Sequence, residues 1–208
     1  VGYKNRSYTH GESAFIADKI AGELTEMDIH HKDFVSLFVP RSELFLLTSM
    51  GVLAMGGAYV PIETTYPDER IILMLTDSNS KAVIVSDKSE QKMLRIITEN
   101  DLDIAVLNIS HIFEDDIGSL NHLETADVEE DDVACVLYTS GTTGTPKGSL
   151  TPRRSLNNFV SWYVTETNFT SDDVYGMHCS YVFDMHTHAL YSPVITGGAL
   201  YIVPEEIR

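Results

Sequence analysis

The chain is poor in cysteine and in positive charge, and each shortage closes off a class of function. Two cysteines in 208 residues, Cys135 and Cys179, cannot build a disulfide framework. Both lie in apolar, strand-like runs, which suits a reducing compartment and makes the cytoplasm the expected location. Only 14 Lys and Arg stand against 31 Asp and Glu, leaving a formal net charge of −17. That charge repels nucleic-acid phosphates and anionic membrane surfaces unless a local basic patch overrides it. The densest basic spot in the sequence is the pair Arg153 and Arg154, so neither nucleic acid nor membrane is expected as a partner. Internal repeats and low-complexity tails are missing too, which excludes solenoids and disordered arrays.

Long apolar runs are also scarce. The single stretch of nearly spanning length, Leu44 to Ile62, carries no charge but is broken by Gly56, Gly57 and Pro61. Those breakers predict a helix ending near Met55 and a short strand over Ala58 to Val60 in a water-soluble core.

With 43% apolar and 22% charged residues, the composition is that of a folded globular body. Short runs rich in β-branched residues predict buried strands at Phe34 to Val39, Ala82 to Val85, Ile104 to Leu107, Val133 to Tyr138 and Ala199 to Val203. Helical patterns fill the gaps: Ser13 to Leu24, Ser42 to Met55, Asp68 to Asp77, Ser89 to Asn100, Ser155 to Val164 and Asp184 to Thr196. Strands alternating with helices predict an α/β fold on mostly parallel sheets. A carboxylate-rich connector over 111–131 divides an expected first α/β lobe, 1–110, from an expected part of a second, 132–208.

The chemistry-bearing segment follows the fourth of those runs. Thr139-Ser140-Gly141-Thr142-Thr143-Gly144-Thr145-Pro146-Lys147-Gly148 crowds hydroxyls, three glycines and one lysine into a single loop. Glycines let the backbone turn its N–H groups toward an anion, hydroxyls donate further bonds, and the ammonium is a mobile countercharge. Such a loop reads as a phosphate cradle. It is not the nucleotide-binding loop G-x-x-x-x-G-K-[ST], because Pro146 and Gly148 occupy positions that need glycine and a hydroxyl. Ser149 to Thr151 reads as extended, and Pro152 delays any helix until after Arg153. The nucleotide is therefore not expected to sit on a helix N-terminus, which removes the main support for a kinase or GTPase mechanism.

Tyr138 to Gly148, YTSGTTGTPKG, resembles at every position the signature loop of the adenylate-forming superfamily, which includes acyl-coenzyme A synthetases, luciferases and the adenylation domains of peptide synthetases. Gly51 to Arg70, GVLAMGGAYVPIETTYPDER, resembles the upstream core motif in its peptide-synthetase form, and Tyr8 to Leu24 is similar to the motif before it. Phe183-Asp184, followed by Thr196-Gly197-Gly198-Ala199-Leu200, resembles the motif at the amino-acid pocket.

The resemblance implies an enzyme that joins an amino acid to AMP at the expense of ATP, with Mg2+, and then passes the aminoacyl group to the phosphopantetheine arm of a carrier protein. It implies that Thr139, Ser140, Gly141, Thr142, Thr143, Gly144, Lys147 and Gly148 hold ATP phosphates. It also implies that Asp184 binds the substrate α-ammonium, with Met185 and His188 beside the side chain. A carboxylate is the natural partner of an ammonium, although Asp184 is also placed to cap the helix after it. The sequence departs from the family pattern at His186 and His188, where serine and an aromatic residue are usual, and at Arg153, where histidine is common. No counterpart of the family's later adenine and magnesium motif, or of its C-terminal lysine, is seen, so the 208 residues alone are expected to be inactive and the Mg2+ ligands to lie mostly elsewhere. A coenzyme A ligase of the same superfamily and a non-catalytic nucleotide-binding piece are the alternatives.

His178, Cys179, His186 and His188 raise zinc as a further idea. On a helix, residues 186 and 188 point about 200° apart and cannot share one ion. No metal site is expected; His186 is read as partly structural and His188 as lining the pocket.

Overall fold

The computed structural model describes residues 1–113, 117–120, 122–139 and 146–207. Each predicted element is present. Strands β1 (Gly2–Tyr3) and β2 (Arg6–Ser7) lead into helix α1 (His10–Glu26), whose Thr9 and Glu12 form a reciprocal capping box. Then come β3 (Phe34–Phe38), α2 (Leu44–Ala54), β4 (Ala58–Pro61), α3 (Asp68–Asp77), β5 (Ala82–Val85), α4 (Asp87–Glu99) and β6 (Ala105–Asn108). The rest is β7 (Val133–Thr139), β8 (Lys147–Pro152), α5 (Arg153–Thr167), β9 (Val174–Met177), α6 (His186–Thr196) and β10 (Ala199–Ile202).

The strands form two sheets. The larger has the order β6-β5-β3-β4-β7-β8 and is parallel except for β8, which runs antiparallel to β7 along the edge. The smaller has the order β2-β1-β10-β9. Each sheet draws strands from both sides of the acidic stretch 111–131: β7 pairs with β4, and β10 pairs with β1. The sheets are therefore not divided where the sequence composition changes. Charge marks only where the chain is solvated; strand pairing follows which apolar faces can be buried together.

The apolar stretch 44–62 is α2 followed by β4, with the turn between them at Gly56, whose φ is +87°. Among the described residues no helix is long and apolar enough to cross a membrane. Helix α2 packs against α1 so closely that a Cβ on Gly51 would lie 2.7 Å from Ile20 Cγ2. Larger side chains at that crossing would force the helices apart.

Arg41, just after β3, fastens the larger sheet to the smaller. Its guanidinium donates to the carbonyl of Met177 at 2.8 Å, to that of Val203 at 3.0 Å, and to that of Cys179. Three carbonyls at the ends of β9 and β10 thereby gain a charged donor, an arrangement worth more than neutral hydrogen bonds.

Candidate functional site

The residues expected to form a site lie on two segments, and the departure at Arg153 on a third; the first is the β7–β8 hairpin. Strand β7 is buried through Tyr138, and its antiparallel partner β8 begins at Lys147. The register sets Thr139 opposite Lys147 and Tyr138 opposite Gly148. Thr139 and Lys147 are exposed where the hairpin closes. Ser140, Gly141, Thr142, Thr143 and Gly144 lie outside the described residues. Lys147 thus opens a strand, and the following helix α5 starts at Arg153, directly after Pro152 and two residues earlier than the expected Ser155.

The base of the hairpin explains one of its glycines. The Tyr138 hydroxyl donates to Asp77 Oδ2 at 2.7 Å, and burial together with that carboxylate raises its pKa. A Cβ on Gly148 would come within 3.0 Å of Val136 Cγ1 and 3.3 Å of the Tyr138 ring. Glycine at 148 lets the tyrosine lie across β8, so the last residue of the loop signature shapes the strand pairing.

The second segment runs from Met177 to His188 and carries the candidate substrate residues. It is held almost entirely by the first half of the chain. Besides the Arg41 bonds, the Tyr181 hydroxyl donates to the Ser42 carbonyl at 2.7 Å and accepts from the Ser42 N–H at 2.8 Å. The Tyr181 ring stacks on Phe45 with centroids 3.9 Å apart. Ser180 donates to Glu63. None of these ties was legible from sequence, because each joins residues more than a hundred positions apart and no local signal marks a buried tyrosine as a clamp.

His186 is fully buried. Its Nδ1 lies 2.6 Å from the Phe183 carbonyl, which can only accept, so Nδ1 carries the proton. The neutral ring's Nε2 then accepts from the Tyr59 hydroxyl of β4, 2.8 Å away. Burial holds the pKa of His186 down to about 4, so this bridge between β4 and α6 is uncharged near neutrality. The tyrosine of the AYVP block therefore braces the helix at whose start the candidate substrate residues stand.

Asp184 and Met185 are exposed immediately before α6. The helix receives no side-chain cap, so Asp184 does not play the capping role open to it. Among the described residues its carboxylate has no hydrogen-bond or ion-pair partner, although its charge is felt by both His186 and His188.

His188 occupies a different face of the helix from His186. It is 7% exposed and packs among Tyr163, Tyr175 and Phe159, the Tyr163 ring centroid being 4.4 Å away. Its Nε2 lies 3.0 Å from the Tyr175 hydroxyl, while Nδ1 is buried without a partner among the described residues. Burial lowers its pKa. Phe159, Trp162, Phe183 and Met185 form an exposed apolar margin around the start of α6 and the adjoining α5.

The third segment is the start of α5, where Arg153 is turned inward. It donates to the carbonyls of Leu53 and Gly57 at 3.2 and 3.0 Å, tying α5 to the α2–β4 turn. Among the described residues no group of three or more His, Cys, Asp or Glu is placed to hold a metal ion.

Residues 1–208 match the family model described as AMP-binding enzyme. Tyrocidine synthase 1 of Brevibacillus parabrevis is 29% identical over 208 residues, covering 98% of this chain but 18% of that protein. Among solved structures, the nonribosomal peptide synthetase FmoA3 (S1046A) superposes with a TM-score of 0.81 at 24% identity, over 97% of this chain and 20% of that one. ATP-bound MatB from Rhodopseudomonas palustris gives a TM-score of 0.79 at 23% identity, over 92% and 39%. The chain spans less than a fifth of the length of tyrocidine synthase 1. With a family model matched over its whole length, the chain belongs to the AMP-binding enzyme family.

Proposed function

We propose that the chain forms part of an amino-acid-activating adenylation domain, using ATP with Mg2+ to make an aminoacyl-AMP that is handed to a carrier-protein phosphopantetheine thiol. The observation that carries this reading is Asp184: an exposed carboxylate without a partner among the described residues, on a segment clamped by Arg41, Tyr59 and Tyr181. A rigidly placed carboxylate suits an α-ammonium, which every amino acid has and a fatty or aryl acid lacks. The likeness to peptide synthetases, one of them tyrocidine synthase 1, supports the same choice.

In the proposed reaction a substrate carboxylate oxygen attacks the α-phosphorus of ATP, and the bond to the bridging oxygen of pyrophosphate breaks. The Thr139 to Gly148 loop holds the β and γ phosphates, and the Lys147 ammonium offsets charge on the leaving group. Mg2+ supplies further neutralisation when bound. Met185, exposed beside Asp184, is the residue proposed to meet the substrate side chain; His188, 7% exposed, would act from behind it, its buried Nδ1 having no partner among the described residues.

The test is pyrophosphate exchange by the full-length enzyme against a panel of amino acids. Asp184→Ala is expected to lower exchange with every amino acid by roughly a hundredfold, the worth of a charge-assisted hydrogen bond of about 3 kcal/mol. Equal use of a carboxylic acid lacking the amine would point instead to the coenzyme A ligase branch.

A further inference from the structure

The larger sheet contains a second crevice. From β3 the chain crosses by α2 to β4 on one side, whereas from β5 it crosses by α4 to β6 on the other. The connections diverge between the C-terminal ends of β3 and β5, and in open α/β sheets ligands settle in that divergence. Here it is a cavity of about 390 Å³, walled by the residues after β3 (Pro40 to Leu44), those after β5 (Ser86 to Lys88) and the β1–β2 turn. The volume is that of a small-molecule site.

Its charge is opposite to that of the chain. Lys4, Arg6, Arg41 and Lys88 line it, four of only 14 basic residues. Two carboxylates, Asp87 and Glu43, share the wall, so cations outnumber carboxylates by four to two there, and Lys4 also pairs with Glu206 at 2.7 Å. Asp87 accepts from the Asn108 side-chain amide at 2.9 Å and faces that neighbour. Glu43 is 1% exposed; burial raises its pKa, its Oε1 lies 3.7 Å from Arg6 Nη1, and its Oε2 has no partner among the described residues. Ser86 precedes the 13-residue helix α4, whose N-terminal end faces the crevice with Asp87 and Glu90 in its first turn and the Asp87 N–H donating to Ser110 Oγ at 3.0 Å.

We infer that this crevice binds a small phosphorylated molecule carrying hydroxyl groups: Arg6, Lys88 and the start of α4 take the phosphate, and a hydroxyl donates to the Glu43 carboxyl. The site is separate from the phosphate-loop hairpin, which follows β7, two strands removed from β3. Both open at the same end of the parallel sheet, at a spacing of roughly 10 Å, so the test must separate them.

Ribose 5-phosphate, inorganic phosphate and ribose are titrated calorimetrically into the chain carrying Lys147→Ala, which disables the hairpin. Ribose 5-phosphate is expected to bind saturably, and Arg6→Gln with Lys88→Gln, both on exposed side chains, to weaken it by about tenfold or more. Glu43→Gln is expected to weaken ribose 5-phosphate severalfold while leaving inorganic phosphate unchanged. Absence of saturable binding, indifference to the Arg6 and Lys88 changes, or loss of binding through Lys147→Ala alone would overturn the separate site. Inorganic phosphate binding as tightly as ribose 5-phosphate would overturn the role of Glu43.

Discussion

The β7–β8 hairpin and the segment from Met177 to His188 both carry candidate binding groups, but they are held in opposite ways. In the hairpin one strand is buried, and its partner is exposed from Lys147 to Leu150. The candidate groups Thr139 and Lys147 are paired at the open end of the described ladder, and Tyr138 anchors the strand beside them. The 177–188 segment is irregular for most of its length and depends on distant partners: Arg41, Ser42, Glu63 and Tyr59. A hairpin's paired strands satisfy each other's backbone groups through the ladder. An irregular segment has no ladder and needs side chains from elsewhere to satisfy its polar groups.

Changes at the two places should therefore fail differently. The largest effect is expected at the tip. Lys147→Ala in the full-length enzyme should slow pyrophosphate exchange by about 10²- to 10³-fold, the range for losing one preorganised electrostatic group. Its denaturant midpoint should stay that of the parent, because Lys147 is exposed and no described partner depends on it. A large fall in stability would mean that the tip is as deeply embedded as the clamped segment.

The clamped segment should respond first in stability, and with pH. His186 has a folded pKa of about 4 against an ordinary value of 6.5, so the unfolded chain binds its proton first. The stabilisation is complete above about pH 6.5 and is lost as pH falls toward 4, by about 3 kcal/mol in all. Urea denaturation at pH 7 and pH 4.5 should show that loss, and His186→Gln should flatten it. The lowered pKa of His188 acts in the same window and would leave a residual slope. An unaltered slope in His186→Gln would detach the histidine from the bridge. Tyr59→Phe probes the same link without a titration, and leaving Nε2 without its donor should cost about 1–3 kcal/mol at neutral pH.

The smallest effect is expected at His188, at the end of the clamped segment. His188→Phe keeps the aromatic packing against Tyr163 and Tyr175 but removes both ring nitrogens, the unpartnered Nδ1 and the Nε2 that meets the Tyr175 hydroxyl. It should shift the preference among amino-acid side chains by about tenfold, a single hydrogen bond's worth, with little change in stability. A uniform loss across the whole panel would make His188 a packing residue only.

Much of this was legible from local pattern. Alternation of apolar runs with capped helices placed the elements to within a few residues, because burial and capping act over a few residues at a time. The loop from Thr139 to Gly148 could be picked out as a candidate phosphate cradle for the same reason: its glycines, hydroxyls and lysine are consecutive. Strands β1, β2 and β9 were missed; β1 and β2 are two residues each, and β9 is half exposed, so none shows a buried run.

The tertiary structure alone decided the pairings. Composition placed a boundary at the acidic stretch, yet both sheets run across it, since strand order is set by the faces that can be buried together. The sequence by itself determined that a carboxylate stands at 184, a lysine at 147 and a tyrosine at 59. That Arg41 and Tyr181 would fix the approach to Asp184, that Tyr59 would reach His186, and that four scattered cations would line one crevice required the fold. Side chains far apart in the chain meet only when backbone geometry and core packing bring them together, and no local preference encodes that meeting.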